Sequence, residues 1–389
     1  MYNFDEQIDR RGSFSVKYDS LNEVFGRDDI LPMWVADMDF QTAPAVLKAV
    51  RDAAEHGVYG YGFRSADSVD SFIEWVESRY NWSLRREWIS SAPGIVAALP
   101  LAINALTEKG DKILIQTPVY PPFHAIVIEN NRTLVKSPLI NTDSGWEIDW
   151  ADFENRLAEG IKIFILCNSH NPLGRVWSPE ELKKMGDLCC KYGTIIFSDE
   201  IHADLSLYGN KHTVMATMSP EIADNTITAM APSKTFNVAG MLNSVIVSSS
   251  DSLMASYNRE LKRFHLDLGN LFGHISMAAA YKDGGEWLAE LTKYLEKNID
   301  FAFDFLKREV PGVTFLKPQS SFLLWLDFRK TGYTHEEVRN RLLNISKLGL
   351  NDGLAFGSEG EGFFRMNIGT NKARVEDGLS RLKRGFTSF

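Results

Sequence analysis

An acid and an amine delivered by two buried strands could share one piece of chemistry. The apolar, β-branched run Thr194 to Phe197 leads into Ser198, Asp199 and Glu200, and a second run, Thr226 to Met230, leads into Ser233 and Lys234. Buried strands of this kind bring their C-terminal residues to the edge where open α/β sheets place ligands. Asp199 and Lys234 are therefore expected near one sheet edge. Pyridoxal phosphate needs both groups. A lysine holds its aldehyde as a Schiff base, and an anion keeps its ring nitrogen protonated so that the ring accepts electrons. A lysine in an arbitrary Ser-Lys-Thr would ordinarily be a solvated one, so the reading rests on what surrounds it.

Other stretches supply what a phosphorylated, planar cofactor requires. The segment S-A-P-G-I-V-A-A-L (91 to 99) reads as a tight turn feeding a buried helix, and free N–H groups of Gly94, Ile95 and Val96 in its first turn would form an anion site. Pro100 should kink that helix or leave its first turn irregular. In G-V-Y-G-Y-G-F (57 to 63), Tyr59 and Tyr61 either offer hydroxyls to a phosphate or pack in a turn. Tyr120 follows the strand K-I-L-I-Q-T in a loop stiffened by prolines, where it either covers a planar ring or simply packs. The loop after I-F-I-L-C presents Asn168, His170 and Asn171. Asp37 and Asp39 lie in an apolar stretch, where unpaired acids are costly; a site role and a turn or capping role are both open.

These residues need elements to position them. Helices are expected at Pro44 to His56, at Asp67 to Tyr80, and after Ser178, where Pro179 and Glu181 complete a capping box. Strands alternate with helices across roughly 90 to 250, which argues for an α/β fold with a mainly parallel sheet. Long helical patterns fill 251 to 308. The tail changes character, with S-F-L-L-W-L-D-F (321 to 328), a helix near 335 to 345 and G-F-F-R-M-N-I-G (362 to 369) suggesting a smaller α+β unit.

Composition narrows the function. The chain has 389 residues, 44% of them hydrophobic and 24% charged, enough to bury a large core in two domains or in one large and one small. With 42 basic against 51 acidic residues, a net charge of −9 disfavours general nucleic-acid binding. No apolar run is long enough to span a bilayer and the N-terminus does not read as a secretory signal. Three cysteines without framework spacing, Cys167, Cys189 and Cys190, fit a reducing compartment, so a cytoplasmic enzyme acting on a small polar ligand is expected.

N-P-L-G at Asn171, S-D-E-I-H at Asp199, P-S-K-T-F-N-V-A-G at Lys234 and F-F-R-M-N at Arg365 stand in order along the chain. The set resembles the fold-type I enzymes of the aspartate aminotransferase superfamily over nearly its whole length. P-M-W-V-A-D-M-D-F, G-V-Y-G-Y, T-P-V-Y-P-P-F and N-P-L-G-R-V-W narrow the resemblance to the cystathionine β-lyase and cysteine C–S lyase branch, which includes the bacterial maltose-regulon modulator. That resemblance implies a large domain with a mainly parallel seven-stranded sheet between helices (46–280), an N-terminal segment (1–45) joining the small domain, and a C-terminal small domain (281–389). It implies pyridoxal 5'-phosphate, no metal, and a homodimer with shared active sites.

Carried over to these positions, the resemblance makes Lys234 the cofactor-holding lysine and proton-transfer base, and Asp199 the partner of the ring nitrogen. Asn171 and His202 would lie on the ring 3-oxygen side, although many aminotransferases carry tyrosine where His202 stands. Tyr120 would stack on the ring, and Gly94, Ile95, Val96 and Ser233 would bind the phosphate with Tyr61 from the other subunit. Arg365 would grip the substrate carboxylate, with Ala36, Tyr61 and Asn171 beside it. One departure is Leu242, where many relatives carry a phosphate-gripping arginine; Arg263 is a distant substitute. The activity implied is α,β-elimination from L-cystathionine and related cysteine S-conjugates. Amino transfer is the alternative, and a regulatory role holding another protein on the same scaffold is a third.

Overall fold

The computed structural model describes residues 2–387. Seven strands form the main sheet in the spatial order Ile89–Ala92, Ser244–Val247, Thr226–Met230, Ile195–Asp199, Ile161–Cys167, Lys112–Thr117 and Thr133–Thr142. An eighth, Gly145–Ile148, is added at the edge by a hairpin from Thr133–Thr142. The five from Thr226–Met230 to Thr133–Thr142 pair in parallel, and Ser244–Val247 runs against both of its neighbours.

Both faces of this sheet are covered, which is why its strands read as continuous apolar runs. Ile113, Ile115, Ile163 and Ile165 pack on one face with Leu99 and Ile103, while Leu114, Phe164 and Leu166 pack on the other with Phe153, Leu182 and Met185. The helices Pro44–His56 and Ala66–Tyr80 form where expected, and Pro179–Tyr192 opens on the Ser178 and Glu181 capping box. The helix Ile95–Leu106 is continuous, with Pro100 inside it.

The region 251 to 308 resolves into Asp251–Arg263, Leu271–Asp283 and Gly285–Glu309. Beyond it, Leu323–Asp327, Phe363–Asn367 and Asn351–Asp352 make a small antiparallel sheet, centred on Phe363–Asn367. Leu31–Pro32 pairs in parallel with Leu348–Gly349, so the N-terminal segment lies against the C-terminal part of the chain. No helix of the described residues is long and apolar enough to cross a membrane.

Candidate active site

Parallel pairing brings several strand ends to one edge. In register, Cys167 stands beside Asp199 and Asp199 beside Ala229, so the loops that follow these strands meet there. Pro232 then begins the short helix Pro232–Thr235, which carries Ser233 and Lys234. Its base is anchored by Asp204, which accepts hydrogen bonds from Thr235 Oγ1 (2.9 Å), Trp75 Nε1 (2.9 Å) and Tyr80 Oη (2.5 Å). Lys234 Nζ donates to the carbonyl of Ala36 at 2.6 Å. Burial, opposed by Asp37 and Asp199 and reinforced by Arg365, brings its pKa down to about 8.

Asp199 is buried, and burial pushes its carboxyl up to about 7. The amide of Ile201 donates to Oδ1 at 3.1 Å, and no group among the described residues donates to Oδ2. His202 is also buried, its Nδ1 has no partner, and burial followed by the charges of Lys234 and Arg365 drives its pKa down to about 3. The imidazole is therefore neutral. Tyr120 precedes the helix Pro121–Glu129, and its pKa is raised chiefly by burial, with smaller effects from Arg365 and Asp199.

The turn containing Asn171 closes through Gly174, whose φ is +63° and where a Cβ would meet Pro318 Cβ at 2.4 Å and the Ser320 carbonyl at 2.9 Å. Only glycine fits that close approach. Asn171 Oδ1 accepts from Arg365 Nη1 at 2.9 Å. Arg365 is 4% exposed, and its Nη2 donates to Asn351 Oδ1 (2.7 Å) and the Trp34 carbonyl (3.2 Å). Its Nε has no partner, and no acid among the described residues forms an ion pair with it. Burial lowers its pKa to about 10, so it remains a cation at neutral pH.

Gly94 caps the helix Ile95–Leu106 without help from any side chain, and its carbonyl accepts from Ala97 and Ala98. The amides of Gly94, Ile95 and Val96 have no acceptor among the described residues, as an anion site requires. A Cβ at Gly94 would meet nothing within 4 Å, so space lies open above the amides.

Tyr61 is the residue not brought to this site within the chain. It is 97% exposed, on a loop where Val58, Tyr59 and Phe63 are also exposed. Leu242 is exposed, and Arg263 is exposed and pairs with Glu260 at 3.5 Å. Asp37 and Asp39 cap no helix, and both are held in ion pairs. Arg10 grips Asp37 with two bonds of 2.9 and 2.7 Å, and Asp39 accepts from Lys17, Arg10, Tyr18 and Arg374.

That ion network holds a run of carbonyls, of which only Ala36 stood among the residues expected at the site. Trp34 serves Arg365, Ala36 serves Lys234, and Val35 and Asp37 both accept from Asn367 Nδ2. Asn367 shares a strand face with Arg365 because the two are separated by one residue. Asn237, at φ 56°, donates to the Met38 and Phe40 carbonyls and accepts from the Met38 amide. Asn367 and Asn237 lie inside quoted motifs, but nothing local marks which backbone they hold, and Asn351 lies outside every one of those motifs.

A family model for aminotransferase class I and II matches residues 28–382. The cystathionine beta-lyase PatB of Bacillus subtilis (strain 168) is 43% identical over 382 residues, covering 98% of this chain and 99% of that protein. Among solved structures, a PLP-bound protein of Clostridium difficile 630, provisionally named an aminotransferase, has a TM-score of 0.98 at 41% identity and covers 100% of both chains. Cystalysin from Treponema denticola, which contains pyridoxal 5'-phosphate, has a TM-score of 0.95 at 29% identity and covers 99% of this chain and 98% of that one.

The residues of this chain fit the same cofactor. They offer a buried amine with a lowered pKa, a buried carboxylate with a vacant oxygen, a neutral imidazole with an unpaired nitrogen, and three free amides at a helix start.

Proposed function

The chain belongs to the aminotransferase class I and II family, and from that premise we propose that it is a pyridoxal 5'-phosphate-dependent carbon–sulfur β-lyase. It cleaves L-cystathionine and related cysteine S-conjugates to a thiol, pyruvate and ammonia. The observation that carries the reaction type is 43% identity to a cystathionine beta-lyase over nearly the full length of both chains.

The bound cofactor supplies an electron sink for the substrate Cα. Lys234 would hold it covalently, with Asp199 opposite the ring nitrogen, Asn171 and His202 beside the ring oxygen and Tyr120 against the ring face. The amides of Gly94, Ile95 and Val96, with Ser233, would bind the phosphate. Arg365 would take the substrate carboxylate, fixing Cα near Lys234. Displaced by the substrate amine, Lys234 would remove the Cα proton, a role helped by a pKa of about 8, which leaves some of it neutral near physiological pH. The Cβ–S bond then breaks with its electrons leaving on sulfur, and the protonated Lys234 is placed to return a proton. Hydrolysis of the remaining three-carbon unit gives pyruvate and ammonia.

Tyr61, solvent-exposed in its own chain, would complete the phosphate site of a second copy, which makes the working form a homodimer. The free thiols of Cys167, Cys189 and Cys190 suit the cytoplasm. The test is to supply L-cystathionine without any keto acid and follow pyruvate and free thiol. Equimolar release supports elimination. Amino transfer that appears only with a keto-acid acceptor would instead make the protein an aminotransferase.

A further inference from the structure

We propose that Asn351 is a positioning and specificity residue: it holds Arg365 by a neutral acceptor so that the guanidinium stays aimed but electrically unpaired until a substrate carboxylate arrives. The inference rests on the reading of Arg365 as the carboxylate-binding group. Asn351 faces Arg365 across the small sheet as its register partner, and its Oδ1 accepts from Nη2 at 2.7 Å. The other acceptors on the guanidinium, Asn171 Oδ1 and the Trp34 carbonyl, are neutral too.

A buried arginine is ordinarily paired with an acid, because an isolated charge is costly to bury. Here three neutral acceptors hold the two terminal nitrogens, leave Nε without a partner and leave the charge uncancelled. Its field reaches the site, where it lowers the pKa values of Lys234 and His202 and opposes the rise at Tyr120. An acid at position 351 would sit within ion-pair distance of Nη2 and compete directly with the substrate.

Asn351 is itself held in place. The adjacent Asp352 accepts from His335 Nε2 at 2.8 Å, and His335 Nδ1 accepts from the Gly362 amide at 2.9 Å. The short strand Asn351–Asp352 is thus pinned on the side away from Arg365, which fixes the backbone from which the Asn351 amide reaches the guanidinium.

Asn351→Asp has nearly the same shape and tests the electrical part. In the holoenzyme, KM for L-cystathionine should rise by about a hundredfold while kcat changes by less than about threefold. Asn351→Ala removes the acceptor without adding charge and should raise KM by about tenfold; it also serves if the aspartate variant does not fold. A separate readout needs no turnover: calorimetric titration of the holoenzyme with 3-(methylthio)propionate, a thioether carboxylate lacking the amine. Binding to the aspartate variant should weaken in step with KM. Unchanged KM and unchanged titration in either variant would overturn the proposal. Failure of the lyase reading leaves the titration result standing, whereas failure of this inference shows as unaltered binding in an enzyme that still makes pyruvate.

Discussion

Replacing Arg365 with alanine should cost substrate affinity far more than cofactor affinity. The side chain is 4% exposed and remains cationic with a pKa of about 10, so a carboxylate bound to it sits in a poorly solvated place. No protein acid has to be displaced, so the whole charge-assisted interaction is available to the substrate. Truncating one side of such a buried pair costs ~2–5 kcal/mol. At about 1.4 kcal/mol for each factor of ten, that is roughly 30-fold to several thousandfold in affinity. Arg365→Lys keeps the charge but loses the planar fork and the bonds to Asn171 and Asn351, so it should fall between wild type and alanine. The assay is kcat/KM for pyruvate release from L-cystathionine, with bound cofactor matched by visible absorbance. Loss of Arg365 should also move the acid limb of the pH profile upward, because its charge lowers the pKa of Lys234. Alanine and wild type agreeing within about twofold in substrate affinity would refute the assignment.

Lys234→Ala should remove the visible absorbance of lysine-bound cofactor and all elimination; a band that survives would mean another lysine is the anchor. Without cofactor, burial pushes Asp199 up to about 7 against an ordinary 3.8. Between those values the native state keeps a proton that the unfolded chain has released, so this group's contribution to stability falls as pH rises through the window, by at most ~4 kcal/mol. The cofactor-free Asp199→Asn protein should therefore lose less Tm between pH 4 and 7 than the cofactor-free parent, and parallel curves would contradict the shift. Asp39→Ala should lower stability by ~3–5 kcal/mol, because Lys17, 1% exposed, would be left with only Asp37 at 3.7 Å. Urea denaturation measures it, and a loss below about 1 kcal/mol would show the network to be dispensable.

The strands that carry the site were legible because parallel strands buried on both faces leave long apolar runs, as at Ile161–Cys167 and Thr226–Met230. The capping box at Ser178 was legible because its chemistry is local. Asp37 and Asp39 were ambiguous for the opposite reason. Their partners Arg10, Lys17 and Arg374 come from both ends of the chain, and no spacing rule connects them.

Local sequence alone determined three of the groups that could do the chemistry: an amine after one buried strand, a carboxylate after another, and free amides at a glycine-started helix. Each is set by side-chain type and by neighbours within a few positions. Only the tertiary structure decided how they are held. The carbonyls of Trp34 and Ala36 reach Arg365 and Lys234 because the N-terminal segment is laid against residues remote from it in the chain, and Asn351 reaches Arg365 because their two strands pair. The lowered pKa of Lys234 and the unpaired charge of Arg365 arise from burial and from charges far apart in the chain, so neither can be read from a motif.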